Sequence, residues 1–337
     1  MCYFYGQGIE KDQSKAVYWS QKAADLGNSG AMFNLGICYK NGQGIQKDHA
    51  TAVYWYQKAA DLGNSFAMNN LGFCYENGQG IQKDHATAVY WYQKAADLGN
   101  SDAMNNLRMC YFNGQGIEKD QSKAVYWSQK AADLGNSGAM FNLGASYYNG
   151  QGIEEDQSKA VYWYQKAADL GNSGAMNNLG MCYFNGQGIE EDQSKAVYWY
   201  QKAADLGNSG AMNNLGMCYF NGQGIEEDQS KAVYWSQKAA DLGNSGAMFN
   251  LGASYYHGQG IQKDHATAVY WFQKAADLGN SGAMNNLGAS YYNGQGIQKD
   301  HSKAVYWYQK AANLGHSDAM INLGASYYNG QGIQKDH

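Results

Sequence analysis

Residues 173–208 read SGAMNNLGMCYFNGQGIEEDQSKAVYWYQKAADLGN, and near-copies of this 36-residue stretch fill the 337-residue chain. Eight complete copies run from 29 to 316, with partial copies at 1–28 and 317–337. The tryptophans mark the period at Trp19, Trp55, Trp91, Trp127, Trp163, Trp199, Trp235, Trp271 and Trp307. Self-similarity at a fixed period of this length is typical of proteins built from stacked structural repeats.

Each copy has two halves with helical periodicity. The first half, residues 173–185, carries Ala175, Leu179, Cys182 and Tyr183 at the i, i+4, i+7, i+8 spacing of one buried helix face. The second half, residues 192–206, places small and aromatic side chains on one face, namely Ala196, Trp199 and Ala203. Both halves are therefore predicted to be α-helices.

The residues at the helix ends agree with this prediction. Asp192 can accept hydrogen bonds from the free N–H groups of the second helix's first turn. Gly207 stands where a left-handed residue would end that helix, and Ile189 in the glycine-rich link is expected to reach back to the core. One helix pair cannot bury both faces alone, so neighbouring pairs must stack. We therefore predict an all-α fold, a solenoid of stacked antiparallel helix pairs forming one repeat domain over 1–337.

Composition excludes several classes of function. A net charge of −5 and a pI of about 5.8 predict no basic patch for a nucleic acid. No apolar run is long enough to span a bilayer as a helix. The Gly-x-Gly link follows a helix rather than a strand, which favours a turn over a nucleotide-binding loop. Since Met1 aligns with Met109 inside a helix, and the chain ends in a loop at His337, both ends are expected to be truncated.

The cysteines and histidines recur singly with the repeat. Equivalent positions in stacked repeats are expected about 10 Å apart, too far for a disulfide or for a shared metal ion. We therefore expect free thiols, which favour a reducing, cytoplasmic compartment, and neither metal nor cofactor. The residues concerned are Cys2, Cys38, Cys74, Cys110, Cys182 and Cys218, and His49, His85, His265 and His301. Because the N-terminus is expected to be truncated, a secreted protein stays the alternative.

The recurring framework resembles the Sel-1-like repeat, a relative of the tetratricopeptide repeat, over the whole chain. The matching pattern is Ala175-x-x-x-Leu179-Gly180-x-x-Tyr183-x-x-Gly186-x-Gly188-Ile189-x-x-Asp192-x-x-Lys195-Ala196-x-x-Trp199-Tyr200-x-Lys202-Ala203-Ala204-x-x-Gly207. The resemblance implies a right-handed superhelix with first helices on its concave side, and scaffold or adaptor work in protein complexes. One branch of the family, linked to β-lactam binding, has two bridged cysteines per repeat. This chain has at most one cysteine per repeat and no S-x-x-K triplet.

Positions that vary between copies are informative because the shared framework does not dictate them. On the first helix, positions equivalent to 33, 37 and 40 form a second stripe, distinct from the core stripe. We call it the first-helix stripe. In five consecutive copies it reads Asn69, Phe73, Glu76; Asn105, Met109, Phe112; Phe141, Ala145, Tyr148; Asn177, Met181, Phe184; Asn213, Met217, Phe220. Such a stripe can be core or binding surface, and the charged Lys40 and Glu76 at one of its positions imply solvent access.

Two further departures suggest packing differences between copies. Ser236 precedes Phe249 by 13 residues, and the same pairing occurs in two earlier copies, so the Phe could fill volume that the Ser leaves empty; duplication of a three-repeat block is the alternative explanation. Arg108 replaces a glycine of the other copies. We expect it to push the helices apart or to extend its head into solvent, and Arg108→Gly to raise the melting temperature.

The sequence thus predicts a non-enzymatic scaffold that binds an unidentified protein or peptide. Two alternatives are an enzyme of the cysteine-rich branch acting on β-lactams or cell-wall precursors, and a passive spacer for domains beyond the termini. The candidate partner-binding residues are Phe73, Glu76, Asn105, Arg108, Met109, Phe112, Phe141, Tyr148, Met181, Phe184, Met217 and Phe220.

Overall fold

The computed structural model describes residues 12–332, which form 18 helices joined by short turns, without a strand in that range. The prediction of an all-α fold is confirmed. In chain order the helices are α1 Gln13–Asp25, α2 Ser29–Asn41, α3 His49–Asp61, α4 Ser65–Asn77, α5 His85–Asp97, α6 Ser101–Asn113, α7 Gln121–Asp133, α8 Ser137–Asn149, α9 Gln157–Asp169, α10 Ser173–Asn185, α11 Gln193–Asp205, α12 Ser209–Asn221, α13 Gln229–Asp241, α14 Ser245–His257, α15 His265–Asp277, α16 Ser281–Asn293, α17 His301–Asn313 and α18 Ser317–Tyr328.

The chain divides into two compact units, Met1–Leu170 and Gly171–His337. Within each unit, every first helix (even-numbered) packs on the second helix of its own repeat, and every second helix packs on the first helix of the next repeat. Each unit is therefore a solenoid of stacked helix pairs. The single domain over 1–337 and the superhelical hand stay predictions.

Side-chain caps begin the helices of both halves. The Asp192 carboxylate accepts from the Lys195 backbone N–H at 2.9 Å, as predicted for the second helix. The first helices use an asparagine cap that the sequence analysis missed, as when Asn208 Oδ1 accepts from the Ala211 N–H at 2.9 Å. Gly207 has φ +85, which confirms the predicted left-handed ending. These local signals fix where each helix starts and stops.

The core lies where small and aliphatic side chains of the two helices meet. Leu179, Ala196 and Ala203 are 0% exposed, as predicted. The aromatic assignment needs correction, because Trp199 is half-buried whereas its neighbour Tyr200 is 3% exposed. The Tyr200 ring thus replaces Trp199 as the main aromatic component of the core in this repeat.

Candidate functional site: the first-helix stripe

The first-helix stripe combines exposed methionines with half-buried phenylalanines. Met109, Met181 and Met217 are 41%, 39% and 47% exposed. The phenylalanine one turn further along each of these helices is half-buried; these are Phe112, Phe184 and Phe220. Methionine is flexible and polarizable, so an exposed methionine beside a ring makes an adaptable apolar surface.

In the unit Gly171–His337 this surface contains two pockets. Met181, Phe184 and Met217 border a pocket of about 190 Å³ that reaches Tyr200 between α10, α11 and α12. Met217 and Phe220 border a larger one of about 260 Å³ between α12, α13 and α14. The predicted stripe residues of α10 and α12 therefore line these two pockets together.

Other predicted stripe residues already make contacts within the protein. The Lys40 ammonium lies 4.7 Å from the centroid of the Phe73 ring. Glu76 Oε2 accepts a hydrogen bond from the Tyr92 hydroxyl at 2.7 Å. Burial, and then this bond to Glu76, raises the pKa of Tyr92. Phe73 and Glu76 are thus less free to receive a partner than the methionine sites.

Asn105 belongs to a hydrogen-bond ladder between successive first helices. Its Oδ1 accepts from the Asn142 side-chain amide at 3.1 Å. The same bond joins Asn106 to Asn69, Asn214 to Asn177, Asn250 to Asn213 and Asn322 to Asn285. Because part-buried amides need such partners, Asn105 has a structural role that the sequence analysis did not foresee.

Phenylalanine replaces the ladder asparagine in some repeats and contacts another ring. The Phe141 ring lies 6.1 Å from Tyr164 on the second helix of its own repeat. Phe249 likewise lies 6.1 Å from Phe272. The space beside Ser236 stays open as the 260 Å³ pocket, and Phe249 does not line it. The predicted filling of the Ser236 space by Phe249 is therefore wrong.

Tyr148 is half-buried at the end of α8. Its backbone carbonyl accepts a hydrogen bond from the Gln157 side-chain amide at 3.1 Å. This bond ties the stripe end of the first helix to the start of the second helix, so position 148 contributes to the geometry of the link.

Arg108 faces a position that carries a small residue in its own repeat. In six other repeats this position is a glycine facing a Tyr or Phe ring 20 residues later, whereas here residue 128 is a serine. The Arg108 guanidinium is half-buried, contacts the Met109 sulfur and lies 5.7 Å from the Phe112 ring centroid. Burial lowers the pKa of Arg108. Because residue 128 carries no ring, Arg108 does not meet the close contact that glycine accommodates in the other repeats. The expectation that Arg108→Gly raises the melting temperature is therefore replaced by the opposite one, that the change lowers it.

A second periodic surface escaped the sequence analysis. The tyrosine before each tryptophan is about half exposed on the second helices, as Tyr198 is at 51%. The Lys202 ammonium lies 4.7 Å from the Tyr198 ring centroid and 5.5 Å from that of Trp199. An invariant Tyr-Trp followed by Lys at a helical spacing was the available signal.

The cysteines of the described range are buried, unpaired thiols, namely Cys38, Cys74, Cys110, Cys182 and Cys218; Cys2 lies outside that range. The absence of disulfides among them agrees with the expectation from their spacing. Burial raises the pKa of Cys182 and Cys218 to about 11. Between residues 12 and 332 no group of three His, Cys, Asp or Glu side chains is placed to hold a metal ion, and no helix is long and apolar enough to cross a bilayer.

Comparison with known proteins gives a consistent result. A search of curated protein sequences found no match. Among solved structures, c5321, a protective antigen present in uropathogenic Escherichia coli strains, is 35% identical with a TM-score of 0.81, covering 99% of this chain and 72% of its own. A Sel1 repeat protein from Oxalobacter formigenes is 30% identical with a TM-score of 0.69, covering 91% and 90%.

The family model of the Sel1 repeat matches ten consecutive segments: residues 1–28, 29–64, 65–100, 101–136, 137–172, 173–208, 209–244, 245–280, 281–316 and 317–337. Sel1 repeats commonly mediate protein–protein interaction, and the repeat scaffold is generally non-catalytic. With every repeat matched, and with similar helix-pair structures at 30% identity or more, the chain belongs to the Sel1-repeat family.

Proposed function

We propose that this chain is a non-enzymatic scaffold that binds a partner protein or peptide along the first-helix stripe. The observation that carries the proposal is the pair of pockets bordered by Met181, Phe184, Met217 and Phe220 in the unit Gly171–His337. Exposed methionines and half-buried rings supply contact area at low entropic cost. Partner side chains inserted between neighbouring first helices would bury this area.

The electrostatics of the stripe are compatible with an apolar or mixed partner. Its charged members Lys40 and Glu76 lie against Phe73 and Tyr92 respectively. The remaining surface of α10 and α12 in the stripe is apolar apart from the ladder asparagines. Binding should therefore depend mainly on buried area and only weakly on salt, because screening acts on exposed charges.

The test is an affinity capture that compares two matched variants. One replaces Phe112, Phe184 and Phe220 by Ala. The control replaces three exposed tyrosines of the second helices by Ala, namely Tyr126, Tyr198 and Tyr234. It removes the same number of rings from the tyrosine surface of the second helices. Circular dichroism checks that both variants are folded, and mass spectrometry identifies the proteins retained from a lysate of the source cells.

We expect the wild type and the tyrosine variant to retain the same proteins. The phenylalanine variant should lose them. Loss only from the tyrosine variant would assign binding to the second helices. Equal retention by all three proteins, or no specific retention by the wild type, would contradict binding through the stripe.

A further inference from the structure

One packing rule recurs inside the repeats. A glycine of the first helix faces a ring of the second helix so closely that a Cβ atom at the glycine would lie 2.3–2.7 Å from the nearest ring carbon. Only glycine leaves space for the ring at that distance. The pairs are Gly36–Tyr56, Gly72–Tyr92, Gly144–Tyr164, Gly180–Tyr200, Gly252–Phe272 and Gly288–Tyr308.

The repeat 209–244 keeps the glycine but lacks the ring. Gly216 faces Ser236, whose Oγ would lie 3.2 Å from a Cβ at residue 216. The volume that a ring fills elsewhere remains a pocket of about 260 Å³, lined by Gly216, Met217, Phe220, Ala232, Ser236 and Ser254 among others. An apolar cavity of about 150 Å³ already suffices to bind benzene in another protein. The Ser236 pocket therefore has room for one aromatic ring.

The pocket is reached from the first-helix stripe. Met217, on its border, is 47% exposed. In the repeat 65–100 the outer end of the corresponding ring is Tyr92 Oη, which bonds to Glu76, and Glu76 is the stripe residue equivalent to Phe220. A ring from outside would thus enter beside Met217 and Phe220 and occupy the volume with its tip towards Ser236.

We propose that the space between Gly216 and Ser236 is a receptor pocket for an aromatic side chain, Tyr or Phe, of a partner protein. The other repeats identify the side chain, because the space beside the equivalent glycine holds a tyrosine ring in five pairs and a phenylalanine ring in one. The proposal rests on the proposed scaffold function and deepens it by naming the side chain received. The repeat 101–136 differs, since the glycine position carries the large Arg108 and its Ser128 is 0% exposed.

The test uses p-cresol, the side-chain analogue of tyrosine, and N-acetyl-tyrosinamide, observed by saturation-transfer difference NMR on the full chain. The wild type is expected to bind p-cresol saturably in the millimolar range. Ser236→Tyr rebuilds the sibling pair and should weaken this binding at least tenfold, whereas Ser236→Ala leaves the pocket open and should keep it. Tyr200→Ser, which opens an equivalent pocket in the neighbouring repeat, should add a second site.

Each outcome has a defined meaning. Saturable binding that Ser236→Tyr abolishes supports the pocket. Absence of saturable binding in the wild type, or equal binding by Ser236→Tyr, overturns it. Displacement of p-cresol by N-acetyl-tyrosinamide supports a partner's side chain, whereas failure of the capped amino acid to displace it overturns that source in favour of a free phenol. The phenylalanine-variant capture is scored separately, so failure of the pocket and failure of the scaffold function are distinguishable.

Discussion

The facing positions 108 and 128 offer a sharp test of the packing rule. Six repeats combine glycine with a ring, whereas the repeat 101–136 combines Arg108 with Ser128. If the two positions share one volume, the effects of changing them must be strongly coupled. We expect Arg108→Gly and Ser128→Tyr to destabilise the protein singly, and the double change to restore the common pair.

The magnitudes follow from the contacts. If the volume is shared, Ser128→Tyr directs a ring against the Arg108 side chain, and overpacking of this kind costs about 1–3 kcal/mol. Arg108→Gly loses about 0.5–1 kcal/mol of helix propensity and the packing of the arginine stem. In the double variant the ring meets a glycine and is buried, as Tyr200 is at 3% exposure beside Gly180. Burial of a large apolar side chain is worth about 1.5–3 kcal/mol.

The coupling free energy should therefore be stabilising by about 2–3 kcal/mol, near the upper end for contacting residues. Urea denaturation followed by circular dichroism measures it for the wild type, both single variants and the double variant. Ser128→Ala is the control, because it adds no volume and should leave the effect of Arg108→Gly unchanged. Single effects that add to within about 0.5 kcal/mol would refute the shared volume.

Three further predictions test the packing, the caps and the thiols. Gly180→Ala should lower the unfolding free energy by about 1–3 kcal/mol, because its Cβ would lie 2.6 Å from a Tyr200 ring carbon. Gly216→Ala should lower it less in the same urea denaturation, because its Cβ would lie 3.2 Å from Ser236 Oγ and 3.3 Å from the Ala232 carbonyl oxygen. Hydrogen bonds from Thr51 lower the pKa of the capping Asp48 below its ordinary value of 3.8. The Asp48 carboxylate therefore contributes fully to the free energy of unfolding above pH 3.8, and this contribution is lost as the pH falls through the lower pKa of the folded state. Asp48→Asn should flatten the acid limb of a pH–stability curve, and an unchanged limb would contradict this. The five buried thiols should react with Ellman's reagent only after unfolding in guanidinium, and fast reaction of more than one thiol in the native chain would contradict their burial.

Much of the fold was predictable because its signals are local and repeated many times. Helix ends follow from the Asp192 cap and the left-handed Gly207, which depend on a few neighbouring residues. The buried Leu179 and Ala203 follow from helical periodicity. Repetition made these signals unambiguous, since a coincidence in one copy would not recur in eight others.

The site was less predictable because its decisive contacts join residues far apart in sequence. Periodicity places Tyr200 on a helix but does not show that its ring lies against Gly180. Nor does it show that Asn105 bonds to Asn142 across a repeat boundary. The sequence correctly indicated that residue 236 matters to packing, yet it chose Phe249 as the partner where the structure places Gly216. Facing residues at a separation of 20 were visible in the alignment of copies, and comparison of Arg108 with Ser128 could have revealed them.

Two of the complete repeats lack the common pair of a glycine and a facing ring, and they differ in whether the space of the ring is filled. In the repeat 101–136 the glycine position carries the large Arg108, and Ser128 is fully buried, so no open space remains beside the serine side chain. In the repeat 209–244 both residues are small, and the pocket left behind costs the chain the contacts that a ring makes in its siblings. Those contacts are regained only when a ring from outside enters. A repeat protein built on one rule can thus display a binding site wherever a single side chain of a matched pair is missing, without any change in its backbone.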